Sequence, residues 1–168
     1  MRRLVALLVL LAGCSTVELD ARWHPLKYVV QSKTMALGTG QRVVNDTMFV
    51  SDIDDWFDSH PEPLLSAALT HERVHSIRQR KFSSGYLGWI AKYLVDLDFM
   101  LFEEQLGFYY QISYLRSHGA QIVIDSWARV MSKYFNASGQ MITKEDAKEW
   151  LQKVVNGQWK PPPGVLPF

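Results

Sequence analysis

The sequence predicts an α+β fold, mainly helical, with a small N-terminal antiparallel sheet packed on a histidine-bearing helix. Three observations predict it. Residues 26–50 are rich in β-branched side chains and are punctuated by Gly38-Thr39-Gly40 and Asn45-Asp46, the pattern of short strands separated by turns. No proline interrupts residues 86–117, an apolar segment far longer than a typical strand. Two histidines, His71 and His75, are spaced by one helical turn.

Taken in order, the chain opens with Met1-Arg2-Arg3, continues through an apolar run from Leu4 to Leu11 and reaches Leu11-Ala12-Gly13-Cys14. The run is shorter than the roughly 20 residues of a spanning helix, and its basic start and small-residue end suit a cleaved export signal over residues 1–13. Leu11-Ala12-Gly13-Cys14 resembles a bacterial lipobox. That resemblance implies lipid on Cys14, attachment to a membrane and residence in the cell envelope. Ser15 stands where Asp would retain the protein in an inner membrane, which favours the outer one where a host has two. Cys14 is the only cysteine of the 168 residues, so no intrachain disulfide and no thiolate metal site can form. The formal net charge of +1 offers no basic field for nucleic acid.

Residues 14–25 are polar and without a clear period, as expected of a lipidated tether. Residues 26–168 suffice for one domain and not comfortably for two. Within it, Lys27–Val30, Arg42–Val44 and Thr47–Val50 read as strands. Asp52–His60 reads as a short helix or turn, and Pro61-Glu62-Pro63 opens a helix running to Lys81, since proline is tolerated in a first turn. Ser83-Ser84-Gly85 breaks it. Tyr86–Ser117 reads as one long helix ending at His118-Gly119. Two more helices are expected over Ala120–Phe135 and Lys144–Val155, joined by a turn at Asn136-Ala137-Ser138-Gly139. The Pro161-Pro162-Pro163-Gly164 tail is expected to be extended.

The chemistry concentrates in His71-Glu72-Arg73-Val74-His75. On a helix the two imidazoles lie about 40° apart around the axis, so both can grip one ion. Ala68, Ala67 and Leu64 precede them on the same stripe, which places them on a buried face. Catalytic zinc takes three protein ligands and leaves one position open, so a third donor must come from elsewhere. Glu103 and Glu104 supply candidates inside a strongly apolar helix, where an unpaired carboxylate would be costly. From Glu104 the helical stripe meets Leu97, Met100, Leu101, Phe108, Gln111 and Leu115. From Glu103 the stripe is more mixed, including Lys92, Asp96 and Tyr110. Glu104 is therefore the expected ligand, with Glu103 in reserve, and Glu72 is the expected general base. Arg78 and Gln79, further along the histidine stripe, are placed at the site's edge.

This combination resembles the gluzincin metallopeptidases, in which a His-Glu-x-x-His helix is followed by a helix supplying a glutamate three residues before a small residue, here Glu104 and Gly107. Residues 69–79 also look like small metallopeptidase-like proteins of bacteria and phages. The resemblance covers residues 64–117, roughly a third of the chain. It implies a zincin-like fold, one zinc ion on His71, His75 and Glu104, and hydrolysis of protein or peptidoglycan peptides in the envelope. It also implies an edge strand that binds substrate by strand addition, and a Tyr or His that stabilises the transition state. Tyr109, Tyr110, His118 and His60 are candidates for that role. Two departures stand out: Phe108 occupies the position at which many gluzincins carry an Asp that orients a ligand histidine, and Gly107 replaces the usual alanine. A second functional class is a non-catalytic envelope lipoprotein that binds a partner or has a structural role. The aromatic set Trp89, Tyr93, Phe99, Phe102 and Phe108 reads as core.

Overall fold

A computed structural model describes residues 15–32, 35 and 41–165. The proposed signal and Cys14 lie outside the described residues. Among the described residues, six helices and a small sheet make the fold α+β, as expected. The strands are β1 (Thr16–Glu18), β2 (Tyr28–Gln31), β3 (Gln41–Val44) and β4 (Thr47–Val50). Their order is β1-β2-β4-β3. β3 and β4 form a hairpin whose turn places Asn45 at φ 57°, a left-handed conformation that asparagine tolerates. The sheet is not wholly antiparallel, because β2 pairs with β4 in parallel, Val29 opposite Met48. β3 occupies the edge beyond β4, and the β3–β4 hairpin sets β4 beside β2. Strand patterning reports which residues alternate faces, not which neighbour they meet.

The stretch expected to be a tether is folded. β1 pairs with β2, and Trp23, in a 3₁₀ turn spanning Ala21–Trp23, is buried with Leu26. The Arg73 guanidinium donates to the His24 carbonyl at 2.7 Å, fastening this segment to the histidine helix. A single Trp in a polar run gives no period to read, yet burying its large ring is strongly favourable.

The helices are α1 (Ile53–Ser59), α2 (Leu64–Lys81), α3 (Gly85–Val95), α4 (Leu97–Ser117), α5 (Ile124–Met131) and α6 (Lys144–Val155). Asp52 and Thr143 cap α1 and α6 by accepting from backbone N–H groups three residues on. The single helix expected over Tyr86–Ser117 is two, because Asp96 turns outward into an extended conformation and accepts from Phe99 N at 2.9 Å. Asp96 is thus the N-cap of α4 and not one residue of a mixed helical face. α5 is shorter than expected, and Asn136-Ala137-Ser138-Gly139 forms the turn of a two-residue hairpin, β5 (Phe135–Asn136) with β6 (Gly139–Gln140). No helix among the described residues is long and apolar enough to cross a membrane.

Two apolar clusters flank the histidines. One lies between the sheet and α1–α2, around Leu26, Val29, Met48, Trp56 and Leu69. The other joins α4, α5 and α6 around Met100, Phe108, Ile112, Met131 and Leu151. Burial of such side chains contributes roughly 1.5–3 kcal/mol each, so the seam between α2 and α4 is held from both sides.

Candidate functional site

α2 and α4 bring His71, His75 and Glu104 together, all three buried. The Nε2 atoms of the histidines are 3.0 Å apart. Glu104 Oε2 lies 3.4 Å from His71 Nε2, and Glu104 Oε1 lies 3.3 Å from His75 Nε2. This group can hold a metal ion. Glu104, not Glu103, completes it, as the apolar stripe on α4 predicts.

Glu103 is neither a ligand nor solvated. It is fully buried and forked by Arg78, whose Nη2 donates to Oε1 at 2.6 Å and whose Nε donates at 3.0 and 3.1 Å. The two adjacent carboxylates thus go to different partners on α2, one to imidazole and one to guanidinium. Gln79 reaches the sheet: its Nε2 donates to the Val43 carbonyl at 3.0 Å and its Oε1 accepts from Asn45 N at 2.6 Å. Ser76 Oγ also donates to the Asn45 carbonyl, so α2 carries the β3–β4 hairpin against it.

Around the three donors the surroundings fix orientation. His71 Nδ1 donates to Gln111 Oε1 at 3.0 Å, which leaves Nε2 to face Glu104 and His75. Phe108 packs edge-on against the same ring at 4.7 Å. Gln111, one turn beyond Phe108, is thus the acceptor that orients the His71 ring. Gly107 is required by this closeness: a Cβ there would lie 2.6–2.8 Å from atoms of the His71 ring.

Glu72 accepts from Gln41 Nε2 at 2.7 Å, and Gln41 Oε1 accepts from the Trp56 indole at 2.7 Å. An indole N–H can only donate, so Trp56 fixes which end of the Gln41 amide meets Glu72. Glu72, the histidines and Glu104 open onto a cleft of about 770 Å³ bounded by β3, α3, α5 and the β5–β6 hairpin.

Electrostatics tie the buried groups to one another. Burial alone would lower the His75 pKa, but the Glu104 carboxylate beside it raises it to about 9. Burial likewise opposes ionisation of Glu104, yet the two imidazoles hold it well below the usual carboxylate range. Tyr93 donates to Glu104 Oε1 at 2.5 Å. Burial first, and then the charge of Glu104, push the Tyr93 and Tyr134 phenols well above their ordinary value, so both remain hydrogen-bond donors.

The other expected residues lie elsewhere. Tyr109 packs on Trp159 and Tyr110, and His118 caps α4 while stacking on Tyr114. His60 stacks on Trp56 with Nδ1 at its carbonyl. None of the four lines the cleft, whereas Tyr93 and Tyr134 do. Tyr93 belongs to an aromatic stripe whose pattern is that of core, and Tyr134 lies beyond the end of α5. Nothing in their local spacing separates them from packing aromatics. Comparison with known proteins adds no relative: no family model, curated protein or solved structure matches the chain.

Proposed function

We propose that this chain is a zinc-dependent metallopeptidase of gluzincin type, held in the cell envelope by lipid on Cys14. One observation carries the reading: two imidazoles and a carboxylate converge beside Glu72 at the floor of a cleft. Zinc bonds of about 2.0–2.1 Å put neighbouring ligand atoms of a tetrahedron about 3.3–3.4 Å apart. The two histidine nitrogens are 3.0 Å apart, and each lies 3.3–3.4 Å from a different oxygen of the Glu104 carboxylate, separations close to that value. Glu104 Oε2 is buried without a hydrogen-bond partner among the described residues, a costly arrangement that a cation would relieve. Two histidines and a glutamate are also a known catalytic zinc set.

Zinc bound there supplies Lewis acidity, polarising a peptide carbonyl and acidifying water. Glu72, one residue from His71, is placed to take the proton of the attacking water and return it to the leaving amine. Gln41 holds one Glu72 oxygen and leaves the other for that transfer. Tyr134, protonated and lining the cleft, is the phenol left to meet a developing oxyanion, since the one proton of Tyr93 goes to Glu104. β3, the edge strand of its sheet among the described residues, lines the cleft, and its backbone before the Val43 carbonyl, which Gln79 occupies, is the strand with which an extended peptide would pair.

A second reading, a non-catalytic envelope module, draws on the bonds that Glu104 already makes with Tyr93 and His75, which partly satisfy the cluster without an ion. Metal analysis and peptide cleavage by purified protein separate the two. The enzyme reading expects about one zinc per chain, and expects Glu72→Gln to keep that zinc while losing at least about a hundredfold in cleavage rate. Cleavage that survives Glu72→Gln refutes the mechanism. Zinc bound without cleavage of any peptide supports the module.

A further inference from the structure

The cleft has two unlike walls. β3 and α2 contribute guanidinium, amide, imidazole and carboxylate groups, whereas the side of α3, α5 and the β5–β6 hairpin is led by Trp89, Ile90, Leu94, Val130 and Phe135, with Tyr93, Lys133 and Tyr134 beside them. Three of these remain uncovered although large and apolar: Leu94 is 40% exposed, Val130 45% and Phe135 74%. Their support is built. Asn136 Nδ2 donates to the Tyr93 carbonyl at 3.0 Å, Ala137 N to the Leu94 carbonyl at 3.0 Å and Ser138 Oγ to the Val95 carbonyl at 2.5 Å. The hairpin thus satisfies three carbonyls at the end of α3, which a helix terminus cannot satisfy itself. An apolar lip fixed in this way, continuous with the histidine site, is a preformed binding surface, because exposed apolar side chains gain only when something covers them.

We propose that the cleft takes an extended polypeptide segment that presents a large apolar side chain, such as leucine or phenylalanine, to the wall of Leu94, Val130 and Phe135. The opposite wall supplies the polar groups that meet the peptide backbone. Small or acidic side chains, such as those of peptidoglycan peptides, would leave that lip in water. As a statement about cleavage the proposal rests on the peptidase reading. As a statement about binding it does not.

The test uses the full chain, zinc-loaded, in detergent. Two fluorescein-labelled peptides are compared, identical except that one carries a central leucine-phenylalanine pair and the other a serine pair. Binding is measured by anisotropy with Glu72→Gln protein, and cleavage by mass spectrometry with the unaltered protein. The apolar peptide is expected to bind about tenfold more tightly or better, the gain from burying one large side chain. Leu94→Lys and Val130→Lys, both at exposed helix positions, are expected to remove most of that difference. Equal binding of the two peptides, tighter binding of an alanine- and glutamate-rich peptide, or a preference untouched by both substitutions overturns the proposal. Selective binding without cleavage by unaltered protein keeps the proposal and rejects the peptidase reading. Cleavage without apolar preference does the reverse.

Discussion

At His75, burial and a neighbouring carboxylate pull in opposite directions, and the carboxylate prevails. With a pKa of about 9 in the metal-free protein, the imidazole is protonated at pH 7, yet only its neutral form can bind a metal. Zinc uptake at pH 7 is therefore expected to release close to one proton from His75, and to release less as pH rises past about 9. Titration calorimetry in two buffers of different ionisation enthalpy reads this directly. The sign for stability follows. A raised histidine pKa contributes stability that is complete below about 6.5 and lost as pH rises through about 9. The lowered Glu104 pKa contributes stability present above about 4.5 and lost as pH falls. Urea unfolding of metal-free protein should therefore show its greatest resistance, so far as this pair decides it, between about pH 4.5 and 6.5. Gly107 is the other decisive residue. Gly107→Ala would drive a methyl into the His71 ring and is expected to weaken zinc binding at least about tenfold and to cost about 1–3 kcal/mol in stability, measured by chelator competition and denaturant unfolding.

Between elements, the seam of α2 and α4 is fastened twice, once at the histidines and once by Arg78 and Glu103. The second fastening is one residue from Glu104 and three from His75, so it sets the depth and rotation of both ligand-bearing helices. Arg78→Met would leave the fully buried Glu103 unpaired, with an expected loss of about 3 kcal/mol. The double change Arg78→Met with Glu103→Met removes the uncompensated charge and should recover most of that loss. Equal destabilisation of the single and double variants in chemical denaturation would count against this account. The same logic of satisfied polar ends explains the break at Asp96. Its side chain caps α4, and the hairpin after α5 covers the end of α3.

Across the whole molecule, the proposed ion would bridge two helices flanked by separate apolar clusters. A ligand bound only by the folded state stabilises by mass action, about 4 kcal/mol at a thousand times its dissociation constant. For a chain of this size that corresponds to a rise of roughly 10 °C in melting temperature. Zinc addition should raise the calorimetric transition by about that much, and chelation should reverse it. His75→Ala, which lacks a ligand, should no longer respond.

The amino-acid sequence alone determined the features written in local period and spacing. These are the histidine pair on one face of α2, the choice of Glu104 from its apolar stripe, the hairpin turn at Asn45, and the positions of α2 and α6. Each is legible because helix and strand periodicity reports which face a residue's own element buries. Tertiary structure decided the rest: the parallel pairing of β2 with β4, the folding of the segment before Leu26, Gln111 behind His71, Gln41 behind Glu72, Arg78 on Glu103, and the tyrosines of the cleft. Those features depend on which distant element supplies the facing surface. Burial and hydrogen-bond satisfaction over the whole chain make that selection, and no local pattern encodes it.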